Sequence, residues 1–228
     1  MKLFIALASV FISTNGYTQK NNVIIKFCPL ALFDMASFPT IQGGVELKIS
    51  NKISWYNEFG IQYFVPPTQK YDTSFLSPHG YKIKTEIRYY FHNKNQQYKR
   101  KASRDFYFAA NAFFTHQTYN TEISYYPVTD SSQYLIDGFG VKKDVWGLNL
   151  VGGCQKKIGK KFMLDFYAGF GVRFRYVNTV GKEFAYGKDV LITPIDVNVI
   201  GTKNRIEAEG GFSSAPNFSC GIRICYRL

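Results

Sequence analysis

The chain has 228 residues, a formal net charge of +12 and 18% aromatic residues. That length suits one domain, especially an all-β one, and no apolar run beyond the N-terminal stretch approaches the ~20 residues of a membrane-spanning helix. A basic chain can point to nucleic acid, but such binding needs bases and aromatics on one accessible face; here they fall on opposite faces of the same segments.

Lys2 precedes an apolar run over residues 3–12 and then the small or polar stretch "STNGYTQ". A basic start, a short apolar core and a small-residue region make a secretory signal peptide over residues 1–19. Cleavage is expected between Gly16 and Lys20, leaving one domain over residues 20–228. Four cysteines, Cys28, Cys154, Cys220 and Cys225, show no zinc or redox spacing. They are read as free thiols, with a Cys28–Cys225 bridge as the alternative because both share the charged parity of their segments.

Eight segments alternate apolar and polar residues, the sign of strands with one apolar face. They cover residues 22–32, 41–50, 53–65, 81–92, 105–117, 145–155, 161–177 and 217–228. The seventh is the clearest: Phe162, Leu164, Phe166, Phe170, Val172, Phe174 and Tyr176 alternate with Asp165, Arg173 and Arg175. Most exceed the ~5–6 residues of ordinary strands and meet the ~9–11 that a tilted membrane strand needs. The expected fold is all-β: an eight-stranded antiparallel up-and-down transmembrane β-barrel with long outer loops.

The connections alternate in length as such a barrel requires. The long ones are residues 33–40, 66–79, 119–141 and 178–216; the short ones are residues 51–52, 93–104 and 157–161. The short side collects Lys52, Lys99, Arg100, Lys101, Lys157, Lys160 and Lys161, while the long loops are rich in Asp and Glu. A basic rim facing anionic phospholipid accounts for the pI without nucleic acid. The charged parity then points into the barrel, which at eight strands is just filled by side chains. Glu46, Lys48, Glu58, Lys82, Lys84, Glu86, Arg88, Asp165, Arg173, Arg175, Arg223 and Arg227 are expected to form an ion-paired network there. Trp55, Tyr63, Tyr89, Trp146, Tyr176 and Tyr226 are expected at the interfacial girdles.

The signal segment, the opening "VIIKFCPLALF", the following "GGVELKIS" and the closing "CGIRICYRL" together resemble short, single-domain outer-membrane β-barrels of Gram-negative bacteria, of the domain-of-unknown-function type. That resemblance spans the mature chain. It implies a place in the outer membrane, outer-membrane lipid as surroundings and insertion by the barrel-assembly machinery. The final strand departs from the aromatic ending that the machinery favours, closing in Leu228 with Tyr226 two places earlier.

His79, His92 and His116 lie in different segments without ligand spacing, so neither metal nor cofactor is expected. His79 is placed in an outer loop and His92 at the inner end of the fourth strand. His116 and Thr118 share one parity, with Glu122 beyond; the pair is similar in outline to the His-x-Ser pair of lipid A deacylase barrels, with Thr in place of Ser. The leading expectation is a non-catalytic barrel with a structural or surface-interaction role, its outer loops offered to an extracellular protein or glycan. Two alternatives stand beside it: a lipid-modifying esterase using His116, and a soluble lipocalin-like barrel carrying an apolar ligand.

Overall fold

A computed structural model describes residues 23–33, 38–62, 76–91, 104–128, 132–185, 187–191 and 210–228. Residues 1–22, Tyr63, His92, most of the 93–104 connection and about half of the 178–216 connection lie outside the described residues. The strands are β1 (Val23–Phe27), β2 (Thr40–Lys48), β3 (Ile53–Gln62), β4 (Leu76–Phe91), β5 (Arg104–Tyr126), β6 (Leu135–Lys157), β7 (Phe162–Val180), β8 (Val190–Leu191) and β9 (Gly211–Arg227). A 3-10 turn, Pro29–Phe33, follows β1, and no α-helix occurs among the described residues.

All pairings are antiparallel and join the strands in one sheet. Eight strands are long-paired, each with a partner on both sides, because β1 pairs β9 and β4 pairs β5. From Ile25 the register passes through Val45, Asn57, Thr85, Ala112, Leu148 and Val172 to Pro216 of β9. Ile25 also faces Tyr226 of β9, ten residues from Pro216, so the sheet is staggered.

The two faces are inverted relative to a water-soluble sandwich. Exposed side chains include Phe218 at 77%, Leu150 at 76% and Phe108 at 64%, whereas Lys26, Glu46, Glu86, Arg88 and Arg223 are among the largest fully buried ones. Alternation creates this directly, since successive strand residues point to opposite faces.

β5 and β6 run further than the sequence pattern indicated, each over 23 residues, and take up most of the 119–141 loop. The reason is a change of phase. Up to His116 the exposed face of β5 is apolar, with Phe106, Phe108, Ala110, Ala112 and Phe114 in sequence; beyond it the exposed face turns polar, while Tyr119, Ile123 and Tyr125 point to the buried face and pack with Phe139, Val141, Val177 and Phe184. Asn120, Glu122 and Ser124 then take the exposed side. Asp137 accepts the backbone N–H groups of Glu183 and Phe184, both at 2.8 Å, tying the start of the last long connection to this extension. Further along the last long connection, Val190 and Leu191 of β8 pair with Tyr126 and Tyr125 of β5.

Candidate functional site

Two groups of polar side chains stand out, one on each face. On the buried face, four carboxylates meet four cations. Lys26 Nζ lies 2.5 Å from Glu46 and 2.6 Å from Asp165. Arg88 reaches Asp165 at 2.8 Å, Glu46 at 3.2 Å and Glu86 through Nε at 2.9 Å. Arg223 reaches Glu86 at 2.7 Å and Glu58 at 3.0 Å, and Lys84 reaches Glu58 at 2.9 Å. The set balances its charge, four acids against four cations, which is what makes burial of seven of the eight tolerable; Lys84 alone is partly exposed.

Tyrosines complete this cluster. Tyr56 donates to Glu58 at 2.6 Å and Tyr107 to Asp165 at 2.8 Å, and Tyr90 donates to Glu46. The Arg88 guanidinium sits 4.5 Å from the Tyr56 ring and 4.6 Å from Tyr107; Arg223 sits 3.7 Å from Tyr167. Glycines make room for these rings. A Cβ on Gly153 would lie 2.3 Å from the Tyr107 ring, and one on Gly221 would lie 2.6 Å from the Tyr167 hydroxyl oxygen.

Of the charged residues expected here, Glu46, Glu58, Lys84, Glu86, Arg88, Asp165 and Arg223 join the cluster. Lys82 is buried apart from it, donating to the Phe38 carbonyl at 2.7 Å beneath the Phe38 ring. Lys48 and Arg227 share the buried face near the short turns, and Arg227 approaches the Met163 sulfur at 3.7 Å. Arg173 and Arg175 also face inward but stand eight and ten residues along β7 from Asp165, and Arg175 donates to Ser213 at 3.3 Å. They do not meet the strand carboxylates, because all four of those acids lie in the half of the sheet nearer the short turns.

The Cys28–Cys225 bridge does not form, and all four cysteines are free thiols. The register sets Cys225 against Lys26, so Cys28 lies two positions further along.

The second group lies on the exposed face where β4, β5 and β6 adjoin. His116 Nδ1 is 2.6 Å from Asp144 Oδ1, its register partner on β6. Asp144, not Glu122, is therefore the acid beside His116: Glu122 is six residues along β5, opposite Gly138. Sequence proximity had favoured Glu122, whereas a cross-strand partner becomes legible only with the register. Tyr81 covers the imidazole from β4, with ring centres 5.4 Å apart. Two residues on, Thr118 faces Lys142, so the four side chains occupy a two-by-two grid on one face.

Above the grid lies a groove of about 400 Å³ lined by Ser77, His79, Thr118, Asn120 and Lys142, among others. His79 belongs to β4 and not to a loop; its Nδ1 is 2.7 Å from the Ser77 carbonyl. Ser77 has φ of 50° beside a register shift between Leu76 and His79, and this bulge turns the end of β4 toward the groove. An imidazole whose Nδ1–H is held by a carboxylate presents Nε2 as a base, and Thr118 supplies a hydroxyl on the same face.

Among the described residues no group of three or more His, Cys, Asp or Glu is placed to hold a metal ion. No protein-family model matches the chain, and no curated protein or solved structure is found to be similar to it.

Proposed function

We propose that the chain is an outer-membrane β-barrel, exported by its N-terminal segment, with a charged packed lumen and a surface-interaction role carried by its outer extension. The observation that carries this reading is the change of phase. The exposed face is apolar from Phe106 to Phe114 on β5, and the apolar side turns inward just beyond His116. Ten residues separate Phe106 from His116. At about 3.3 Å per residue and a tilt of about 40°, that stretch climbs about 25 Å, the height of a barrel's lipid-facing band.

Other features agree. A ten-residue stagger is the kind of offset a tilted, closed barrel needs. Strands paired on both sides leave no open edge in hydrocarbon. A soluble carrier of an apolar ligand would place its apolar face inward, opposite to the arrangement of Phe218, Leu150 and Phe108. The exposed lysines at the short turns fit an anionic leaflet, and the ordered β5–β6 extension offers a preformed surface to an extracellular protein or glycan.

The test is site-directed labelling of the chain reconstituted in phospholipid vesicles. A membrane-impermeant maleimide is expected to label Thr118→Cys and Asn120→Cys and to leave Ala110→Cys untouched until the protein is unfolded. Equal labelling of all three would overturn the reading.

A second reading is favoured by the His116–Asp144 contact at 2.6 Å: hydrolysis of a lipid acyl ester at the membrane surface. Thr118, whose hydroxyl donates to the His79 carbonyl at 3.5 Å, would turn to His116 Nε2 and pass it the hydroxyl proton while attacking the acyl carbonyl; that proton leaves with the alcohol, and water then releases the fatty acid. Fatty-acid release from phospholipid by the full chain, abolished in His116→Ala and strongly reduced in Asp144→Asn, would support it. No release above that of His116→Ala would end it.

A further inference from the structure

We infer that the groove above His116 and Asp144 is a seat for the phosphate-bearing headgroup of an outer-leaflet lipid. The inference rests on the barrel reading and is independent of catalysis.

Its position is the first argument. Along β5 the exposed side chains run from Phe114 through His116 to Thr118 and Asn120, and along β6 from Trp146 through Asp144 to Lys142. Each step of two residues rises about 7 Å along the strand. Acyl chains lying on the Phe114 and Trp146 level therefore place the glycerol region near His116 and Asp144, and the phosphate one step higher, at Thr118 and Lys142.

The chemistry of the lining is the second. Lys142 brings an ammonium, Thr118 and Ser77 bring hydroxyls, and Asn120 brings an amide. A phosphate offers only acceptors, and Lys142, Ser77 and Asn120 can donate to it, with the Thr118 hydroxyl joining them by leaving its long 3.5 Å contact to the His79 carbonyl. No described carboxylate is in ion-pair contact with Lys142. The nearest acid along its strand, Asp144, is engaged by His116, and Glu122 stands four residues beyond Thr118 on β5, about 13 Å along the strand. The third argument is size: about 400 Å³ falls within the ~300–1,000 Å³ usual for small-molecule sites.

The experiment measures binding of short-chain phosphatidic acid, the matching diacylglycerol and inorganic phosphate to the full chain folded in a non-ionic detergent. Lys142→Gln is the test variant and Lys160→Gln, at a short turn, the control. Phosphatidic acid is expected to bind about tenfold or more tighter than diacylglycerol, the size of one charge-assisted hydrogen bond. Lys142→Gln should erase that preference and Lys160→Gln should keep it. Equal binding of phosphatidic acid by the wild type and Lys142→Gln would overturn the inference, as would inorganic phosphate binding as tightly as the lipid, which marks a free-anion site. These results on protein that shows heat-modifiable migration sink the headgroup seat alone; a wild-type chain without such migration sinks the barrel reading as well.

Discussion

Arg88→Met removes the cation that touches three carboxylates of the buried cluster. Asp165 at 2.8 Å, Glu46 at 3.2 Å and Glu86 at 2.9 Å all lose a donor. Each keeps another: Lys26 stays 2.6 Å from Asp165 and 2.5 Å from Glu46, and Arg223 stays 2.7 Å from Glu86. What changes is the balance, from four acids against four cations to four against three, with one negative charge uncompensated in a water-poor interior. Removing one partner of a buried pair costs about 3–5 kcal/mol, and the remaining partners set the expectation near the lower end. Arg88→Met with Glu86→Met restores the balance with side chains of similar bulk and should recover most of the loss, to within about 1 kcal/mol of wild type. The assay is urea unfolding of the chain refolded in phospholipid vesicles, followed by fluorescence of its 2 tryptophans. A single variant as stable as wild type, or a double variant losing the sum of the two singles, would refute the reasoning.

Leu148→Arg places a charge on the exposed face, where Leu148 is 61% accessible; in a bilayer this should cost about 2–4 kcal/mol, read by the same unfolding assay, and no change would argue against lipid contact. Gly153→Val drives a side chain into the Tyr107 ring, where a Cβ alone would lie at 2.3 Å, and should cost about 1–3 kcal/mol of overpacking. Gly159, with nothing within 4 Å of its added Cβ, is the control, and Gly159→Val should stay within about 0.5 kcal/mol. Reducing and non-reducing gels of unheated protein should show one mobility, as four free thiols require; a shift on reduction would place a bridge where the register has none.

Parity was the legible part of this chain. It placed Glu46, Glu58, Glu86, Asp165, Arg88 and Arg223 on one face from their offsets alone, because a strand's period of two leaves no freedom. Lys26 is not legible in this way, since it stands singly within the apolar "VIIKFCPL" and its role depends on acids from β2 and β7. The tyrosines Tyr56, Tyr90 and Tyr107 were hidden inside aromatic runs whose other members face outward, so the pattern read as apolar throughout. Trp146, Tyr89 and Tyr176 do lie on the exposed face, at 40%, 44% and 47% accessibility. The ends of β5 and β6 are not legible from alternation, because the apolar phase inverts there and one continuous pattern stops at the inversion. The His116–Asp144 pair depends on the register between β5 and β6, since its members stand 28 positions apart in sequence, and local spacing does not contain that register.

The central claim is that these strands form a closed barrel in an outer membrane. The most direct test is gel migration of the full-length protein, heated against unheated, after separation of the outer-membrane fraction from producing cells. The account predicts recovery in that fraction and a heat-dependent shift in mobility. Recovery as a soluble periplasmic protein with one mobility at both temperatures would contradict it.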